Sequence, residues 1–142
     1  MRWYDIYIRD DLYSRVVFEI SSEEVIKGLL FHKSKQESEI ETIKGKILKY
    51  EQKRRSEEAW YQSLSPFKRF FTGRAPSHHQ AVEHLVNVKD RYKQIEKLKQ
   101  KVAFLNEVIG LLEAEPEKRE MNLPSDIINE IMAWQKAEGT PR

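Results

Sequence analysis

Residues 65–76, Ser-Pro-Phe-Lys-Arg-Phe-Phe-Thr-Gly-Arg-Ala-Pro, interrupt two long helical patterns. Apolar side chains recur every three or four residues in the stretch before this segment, 22–64, and in the stretch after it, 77–114. Two such stretches joined by a short break predict a long antiparallel helical hairpin, with residues 65–76 at its tip. At about 1.5 Å per residue, each arm would be roughly 55–65 Å long. We therefore expect a mainly α, coiled-coil-like fold.

Helix-start signals stand at the beginning of both arms. Ser21 is followed three residues later by Glu24, and Ser77 by Gln80, which is the spacing of a capping box. Polar residues interrupt the apolar stripe of the first arm, whereas the stripe of the second arm is continuous. We therefore expect the surplus apolar surface of the second arm to be covered by a terminal segment or by a second copy of the chain, as in a homodimer.

The two ends of the chain carry shorter elements. Residues 1–20 contain two alternating runs, around Ile6 and Phe18, which predict a small β-ribbon; the alternative is an amphipathic helix. Residues 113–124 are rich in acidic residues, and we interpret them as a linker. Residues 125–137 predict a short C-terminal helix, capped by Ser125 and packed at the base of the hairpin. The chain of 142 residues is predicted to be a single domain.

Composition excludes several classes of protein. The chain has no cysteine, which excludes disulfide scaffolds, thiolate metal sites and cysteine nucleophiles and favours a reducing compartment. No apolar run reaches the roughly 18 residues that a membrane span needs, and the first residues do not follow the plan of a secretory signal. We therefore expect a cytoplasmic protein without a membrane span.

Charge is unevenly divided along the sequence. Residues 44–101 contain 15 Lys and Arg against 6 Asp and Glu, whereas the remaining residues contain 10 against 17. In the predicted hairpin, the basic residues would occupy the tip and the adjoining parts of both arms, and the acidic residues would occupy the base. Such polarity favours an anionic partner at the distal end or antiparallel self-association. The alternative is that these residues form ordinary solvated helix faces.

The tip holds the main candidate binding site, because aromatic side chains are interleaved there with cations. The predicted partner-binding residues are Trp60, Phe67, Lys68, Arg69, Phe70, Phe71 and Arg74. Two arrangements are open. The rings fold back and close the end of the hairpin, or they face outward and bind a protein partner, single-stranded bases or an anionic lipid surface. Ser65 and Pro66 predict the start of a short helix, and Gly73 its end.

Association with nucleic acid is the alternative function. Its candidate residues are the cations Lys53, Arg54, Arg55, Lys93, Lys97 and Lys101. Their spacing distributes them around the helices, whereas a groove that follows phosphates would place them on one stripe. We also find no helix-turn-helix, zinc-ligand or aromatic RNA-binding signature in the sequence.

Catalytic and metal chemistry have little support. His78, His79 and His84 cluster near the start of the second arm, but only Glu83 follows His79 at a one-turn spacing, which supplies two ligands. No glycine-rich phosphate loop follows a strand, and the carboxylate pairs of the arms lie on exposed helix faces. We therefore expect no enzyme activity, no metal site and no cofactor.

Together, these patterns favour a non-enzymatic helical binding or adaptor module. It would present its hairpin surface and its aromatic, basic tip to a protein partner, and it could serve as a regulator or a chaperone. A fold of this kind carries many functions, so the partner itself does not follow from the fold.

Overall fold

The computed structural model describes residues 4–72 and 82–138, apart from the side chain of Phe70. In chain order the elements are β1 (Asp5–Asp10), β2 (Val16–Ser21), α1 (Ser22–Ser63), α2 (Pro66–Phe71), a π-helical segment (Leu85–Lys89), α3 (Asp90–Ala114), β3 (Glu120–Leu123) and α4 (Ser125–Ala137). The predicted mainly α fold class is confirmed: α1 packs on α3, a small sheet contains the N-terminal strands, and α4 packs against α1.

The chain divides into two compact units. Unit 1 comprises Met1–Glu37 and Gln100–Arg142, and unit 2 comprises Ser38–Lys99. Unit 1 therefore contains the sheet, the first part of α1, the second part of α3 and all of α4. Unit 2 contains the second part of α1, α2, the π-helical segment and the first part of α3.

Unit 1 is built on a three-stranded sheet in the order β2–β1–β3. β1 pairs antiparallel with β2, with Ile8 opposite Phe18 and an irregularity between Ile8 and Arg9. β3 lies along the other edge of β1 in parallel, with Tyr7 opposite Glu120. The central strand is therefore the first strand of the chain, and its two neighbours come from widely separated parts of the sequence.

Helices cover one face of this sheet. Ile6 and Ile8 of β1 are fully buried, whereas Tyr7 between them is 42% exposed, as the alternation of side chains along a strand requires. Buried side chains of all three strands and of α1, α3 and α4 form one cluster. Its helical members include Val25, Leu29, Leu105, Leu112, Ile127 and Ile131. Since full burial of one such side chain contributes about 1.5–3 kcal/mol, this cluster is the main source of stability in unit 1.

Helix α1 begins where the capping box predicts. The backbone N–H of Glu24 donates a hydrogen bond to Ser21 Oγ at 3.2 Å, which satisfies one of the free N–H groups of the first turn. Ile20 and Val25 stand on either side of the helix start at the spacing of a hydrophobic staple, and both are fully buried. The sheet and the helix are thus joined without an intervening loop.

Helix α4 packs closely against the first part of α1. Gly28 of α1 is buried there, and a Cβ atom at this position would lie 3.4 Å from Trp134 and 3.5 Å from Ile131. At the edge of the contact, Lys35 Nζ lies 3.2 Å from the carboxylate of Glu130. The predicted packing of the C-terminal helix is therefore confirmed, and the small side chain of a glycine permits the close approach.

Unit 2 has a thinner apolar interior. Its buried side chains among the described residues are Ile40, Ile43 and Ile47 of α1, Val88 of the π-helical segment and Ile95 of α3. The three isoleucines are spaced by three and four residues, so they form one stripe on α1. Large apolar side chains of the same unit, such as Leu48 and Tyr92, are 53% and 52% exposed. Unit 2 therefore leaves several of its large apolar side chains exposed.

Two predictions about the C-terminal part are wrong. The segment 113–124, interpreted as a linker, contains β3, which adds a third strand to the predicted N-terminal ribbon of β1 and β2. β3 forms because Met121 and Leu123 alternate with polar residues and bury their side chains in the cluster. Ser125 is the first helical residue of α4 and not its cap; Pro124 holds the cap position, without a side-chain hydrogen bond.

The second arm also differs from its prediction. The π-helical segment Leu85–Lys89 precedes α3, where a continuous α-helix was expected. The end of α3 at Ala114, just before Pro116, agrees with the predicted end of the arm. The predicted capping box of Ser77 and Gln80 and the predicted helix end at Gly73 lie outside the described residues.

His32 is a buried polar residue in the contact between α1 and α4. It is 3% exposed, and its Nδ1 lies 3.5 Å from the carboxylate of Glu130, yet neither ring nitrogen makes a hydrogen bond with the described residues. Burial lowers the pKa of His32 below its ordinary value of 6.5, and the opposing attraction of Glu130 is the smaller effect. Lys101 and Lys35 lower this pKa further, while Asp126 raises it. The imidazole is therefore neutral at neutral pH.

We predict that His32 makes the protein less stable in mild acid. Well above pH 6.5 the imidazole is neutral in both the folded and the unfolded state, so its titration has no effect there. As the pH falls below 6.5, the unfolded state takes up the proton more readily, and the free energy of unfolding decreases. Urea unfolding followed by circular dichroism at several pH values measures this loss. His32→Leu should show a smaller loss over the same range; identical pH dependence in both proteins would contradict the assignment.

Candidate functional site

The candidate site lies in unit 2, where α1 ends and α2 begins; residues 60–72 are here called the corner. The last turn of α1 closes when the N–H of Leu64 donates to the carbonyl of Tyr61 at 3.1 Å. Ser65 then caps α2, and its Oγ accepts a hydrogen bond from the N–H of Lys68 at 3.3 Å. Pro66 occupies the first position of α2, where a missing N–H has no cost. The predicted start of a short helix is confirmed.

Arg69 fastens α2 to the end of α1. Its Nε donates to the carbonyl of Tyr61 at 3.3 Å, and a terminal nitrogen donates to the carbonyl of Gln62 at 2.5 Å. The guanidinium carbon also lies 5.8 Å from the centre of the Tyr61 ring. The last carbonyl groups of a helix accept no hydrogen bond from within the helix and would otherwise accept hydrogen bonds from water. Arg69 supplies the donors instead. Hydrogen bonds from a charged donor typically contribute about 1.5–3 kcal/mol, so Arg69 positions the corner.

Phe67 and Phe71 are four residues apart and therefore neighbours on one side of α2. Their ring centres are 4.8 Å apart and their planes are inclined by 63°, an edge-to-face arrangement. Phe67 is 73% exposed, Phe71 is 69% exposed, and Trp60 in the last turn of α1 is 56% exposed. Lys68, which follows Phe67, is exposed as well. The described rings thus have the outward arrangement and not the folded-back one.

The corner brings together most of the predicted partner-binding residues. Those that the structure describes are Trp60, Phe67, Lys68, Arg69 and Phe71. Among them, Arg69 uses its donors inside the corner, so it supports the surface more than it adds to it. The side chain of Phe70 and the whole of Arg74 lie outside the described residues.

The six cations predicted for nucleic-acid binding do not share one environment. Lys101 belongs to unit 1, where its Nζ lies 3.2 Å from a carboxylate oxygen of Asp126. In unit 2, Lys53 lies 3.9 Å from the carboxylate of Glu57, and Arg54 lies 3.5 Å from a histidine ring nitrogen. The remaining three are exposed: Arg55, Lys93 and Lys97. Several of these charges therefore already have partners within the chain.

The described parts of the chain contain neither a cluster of metal ligands nor a helix that could span a membrane. No three His, Asp or Glu side chains of residues 4–72 and 82–138 are placed to hold a metal ion. Of the clustered histidines, His84 is described, whereas His78 and His79 lie outside the described residues. Within the same ranges, no helix combines the length and the apolar character that crossing a bilayer requires.

Unit 1 contains a cavity of about 530 Å³ that the sequence did not predict. Phe104 and Leu111 of α3 form one wall, and Met121 of β3 contributes to the other. Arg9 at its border is bound to the carboxylate of Glu120 at 2.9 Å. The volume lies within the range of small-ligand sites, but the charges of Arg9 and Glu120 satisfy each other instead of converging on a ligand. Sequence reasoning missed this cavity because it depends on β3.

Comparison with known proteins leaves the corner as the principal guide to function. No protein family, characterised protein or solved structure is significantly similar to the chain. The function of the chain therefore has to be inferred from the geometry and the chemistry of its residues.

We predict that Arg69→Ala loosens α2. Loss of two hydrogen bonds from a charged donor should speed amide hydrogen exchange of residues 66–71 by about tenfold or more. Hydrogen exchange measured by NMR would report this change residue by residue. Lys68→Ala is the matched control, because it removes the neighbouring cation without a hydrogen bond to α1, and its exchange rates should stay near those of the parent protein. Equal rates in Arg69→Ala and the parent would show that Arg69 does not hold α2.

Proposed function

We propose that the protein is a non-enzymatic helical binding module that recognises a protein partner through the corner. In this role it would act as an adaptor and could serve as a regulator or a chaperone. The observation that carries the proposal is the exposure of three large aromatic side chains, Trp60, Phe67 and Phe71, on a backbone fixed by hydrogen bonds.

Aromatic side chains are the usual anchors of protein interfaces. An aromatic ring that moves from water into a partner's pocket gains about 2–3 kcal/mol, and a few such rings dominate the affinity of most interfaces. The corner offers three exposed rings within a short segment. In the bound state these rings would supply the buried centre of an interface, and Lys68 would belong to its polar rim.

The corner is already ordered before it binds a partner, which reduces the free energy lost on binding. Association loses free energy when loops and side chains become fixed at the interface. In the corner, the Ser65 cap and the two hydrogen bonds of Arg69 already fix α2, and the edge-to-face contact restricts Phe67 and Phe71. A larger share of the contact energy therefore remains as affinity.

We further propose that the protein forms a homodimer through α3. Phe104 and Leu111 are seven residues apart, so they share one stripe of this helix, and they are 38% and 46% exposed. A second copy would cover this stripe with its own, because a twofold interface pairs identical surfaces.

The corner proposal predicts that Phe67→Ala together with Phe71→Ala abolishes partner capture. Affinity purification from cell lysate after nuclease treatment, followed by mass spectrometry, should recover a partner with the parent protein and at least about tenfold less with the variant. The melting temperature should change little, because both rings are mostly exposed. Leu48→Ala, an exposed apolar residue of α1, is the control and should retain capture. Equal recovery by the parent and the double variant would contradict the proposal.

The dimer proposal predicts a mass near twice 17.0 kDa in solution. Light scattering coupled to size exclusion would measure it. Phe104→Ser together with Leu111→Ser should yield a monomer, whereas Leu30→Ser, which alters an equally exposed residue of α1, should leave the dimer intact. A parent protein of monomeric mass at high micromolar concentration would end the proposal.

A further inference from the structure

We infer that the partner segment bound at the corner is an acidic, amphipathic stretch of polypeptide, in which carboxylates flank a large apolar side chain. This inference rests on the proposed function and adds the chemistry of the partner. It follows from the charges that surround the exposed rings and from the way in which those charges are already paired.

The corner and the α1 segment that leads to it are electropositive. Residues 53–72 contain five Lys and Arg but only two Asp and Glu. Both carboxylates already have contacts within α1: Glu57 lies 3.9 Å from Lys53, and Glu58 accepts a hydrogen bond from the amide of Gln62 at 2.9 Å. The carboxylates of this stretch therefore leave a net positive charge that they do not neutralise.

The charge of Arg69 also persists at the corner. Its hydrogen-bond acceptors are two backbone carbonyls, which carry no formal charge. The end of a helix has a partial charge of about −0.5, so it offsets only part of the guanidinium charge. Arg69 thus holds the rings in place and contributes to the positive potential around them.

Lys68 places a cation directly beside the exposed rings. It follows Phe67 in sequence and precedes Phe71 by three residues, so Lys68 and Phe71 are neighbours on the helix surface. A complementary surface must therefore carry a carboxylate next to an apolar side chain. Such a partner gains from ring burial and from charge complementarity, and the charges also increase its rate of association.

The arrangement of the cations favours an acidic polypeptide over nucleic acid. Lys53, Arg54 and Arg55 are consecutive, so they project about 100° apart around α1 and cannot follow one phosphate strand. Lys53 is already near a carboxylate, and Arg54 is near His84. An amphipathic segment needs only one or two cations near the exposed rings. Lys68 supplies one directly beside Phe67, and Arg55, an exposed cation of α1 five residues before Trp60, supplies a second.

Photo-crosslinking can identify the segment. The full chain with p-benzoylphenylalanine in place of Phe67 would be irradiated in lysate, and the attached peptide would be sequenced by mass spectrometry. We expect a peptide with an excess of Asp and Glu around a large apolar residue. A neutral or basic peptide, or attachment to nuclease-sensitive material, would overturn the inference.

The synthetic form of the cross-linked peptide would then be tested by fluorescence anisotropy. Lys68→Glu together with Arg55→Glu should weaken its binding at least about tenfold, and added salt should weaken binding to the parent protein. Lys46→Glu together with Lys49→Glu makes the same charge change at exposed positions of α1 away from the corner and should have a much smaller effect.

The two levels of the proposal fail in different ways. If Phe67→Ala with Phe71→Ala loses the peptide but both charge variants bind it equally, the acidic partner is wrong and the corner remains the binding site. If the aromatic variant also binds the peptide normally, the corner itself is wrong.

Discussion

Burial of one face of β1 is the constraint on which unit 1 depends. β1 is bonded along one edge to β2, which follows it directly, and along the other to β3, which comes near the end of the chain. Ile6 and Ile8 must be covered on the same face by helices that also come from both parts of the sequence. Since two strands alone are only marginally stable in water, neither half of the sequence can form this core without the other.

The two units differ in how they use apolar side chains. Unit 1 collects them into a closed cluster, whereas unit 2 buries a short isoleucine stripe and leaves rings such as Trp60 and Phe67 exposed. Exposed aromatic rings lower the solubility of a protein unless a partner covers them. A fixed backbone makes the free energy of binding such a partner more favourable. The binding role proposed for the corner follows from the exposure of these rings on a fixed backbone. The homodimer proposal uses a different surface, the exposed stripe of Phe104 and Leu111 in unit 1.

Elements with strong local signals could be predicted from the sequence. The Ser21–Glu24 spacing and the apolar period specify α1, and Ser65 with Pro66 specifies α2, because these signals act between near neighbours. β3 could not be predicted, since four residues that alternate in polarity form a strand only when a distant partner lies beside them. The cavity beside β3 and the burial of His32 could not be predicted either, because both depend on segments that are distant in sequence. For the corner, composition identified the residues, but it did not reveal that Arg69 is a clamp or that Phe67 points outward.

The parallel pairing of β1 with β3 also affects how the chain folds while it is being synthesised. Ribosomes deliver the N-terminal part first, so β1 and β2 emerge long before residues 120–123 exist. During that interval one edge of β1 remains open, and its isoleucines lack the cover that Met121 and Leu123 later provide. Unit 2, Ser38–Lys99, is one continuous segment that is synthesised in full before residues 120–123. Its helical order can therefore precede the sheet, and unit 1 is completed last, at the rate set by its distant contacts.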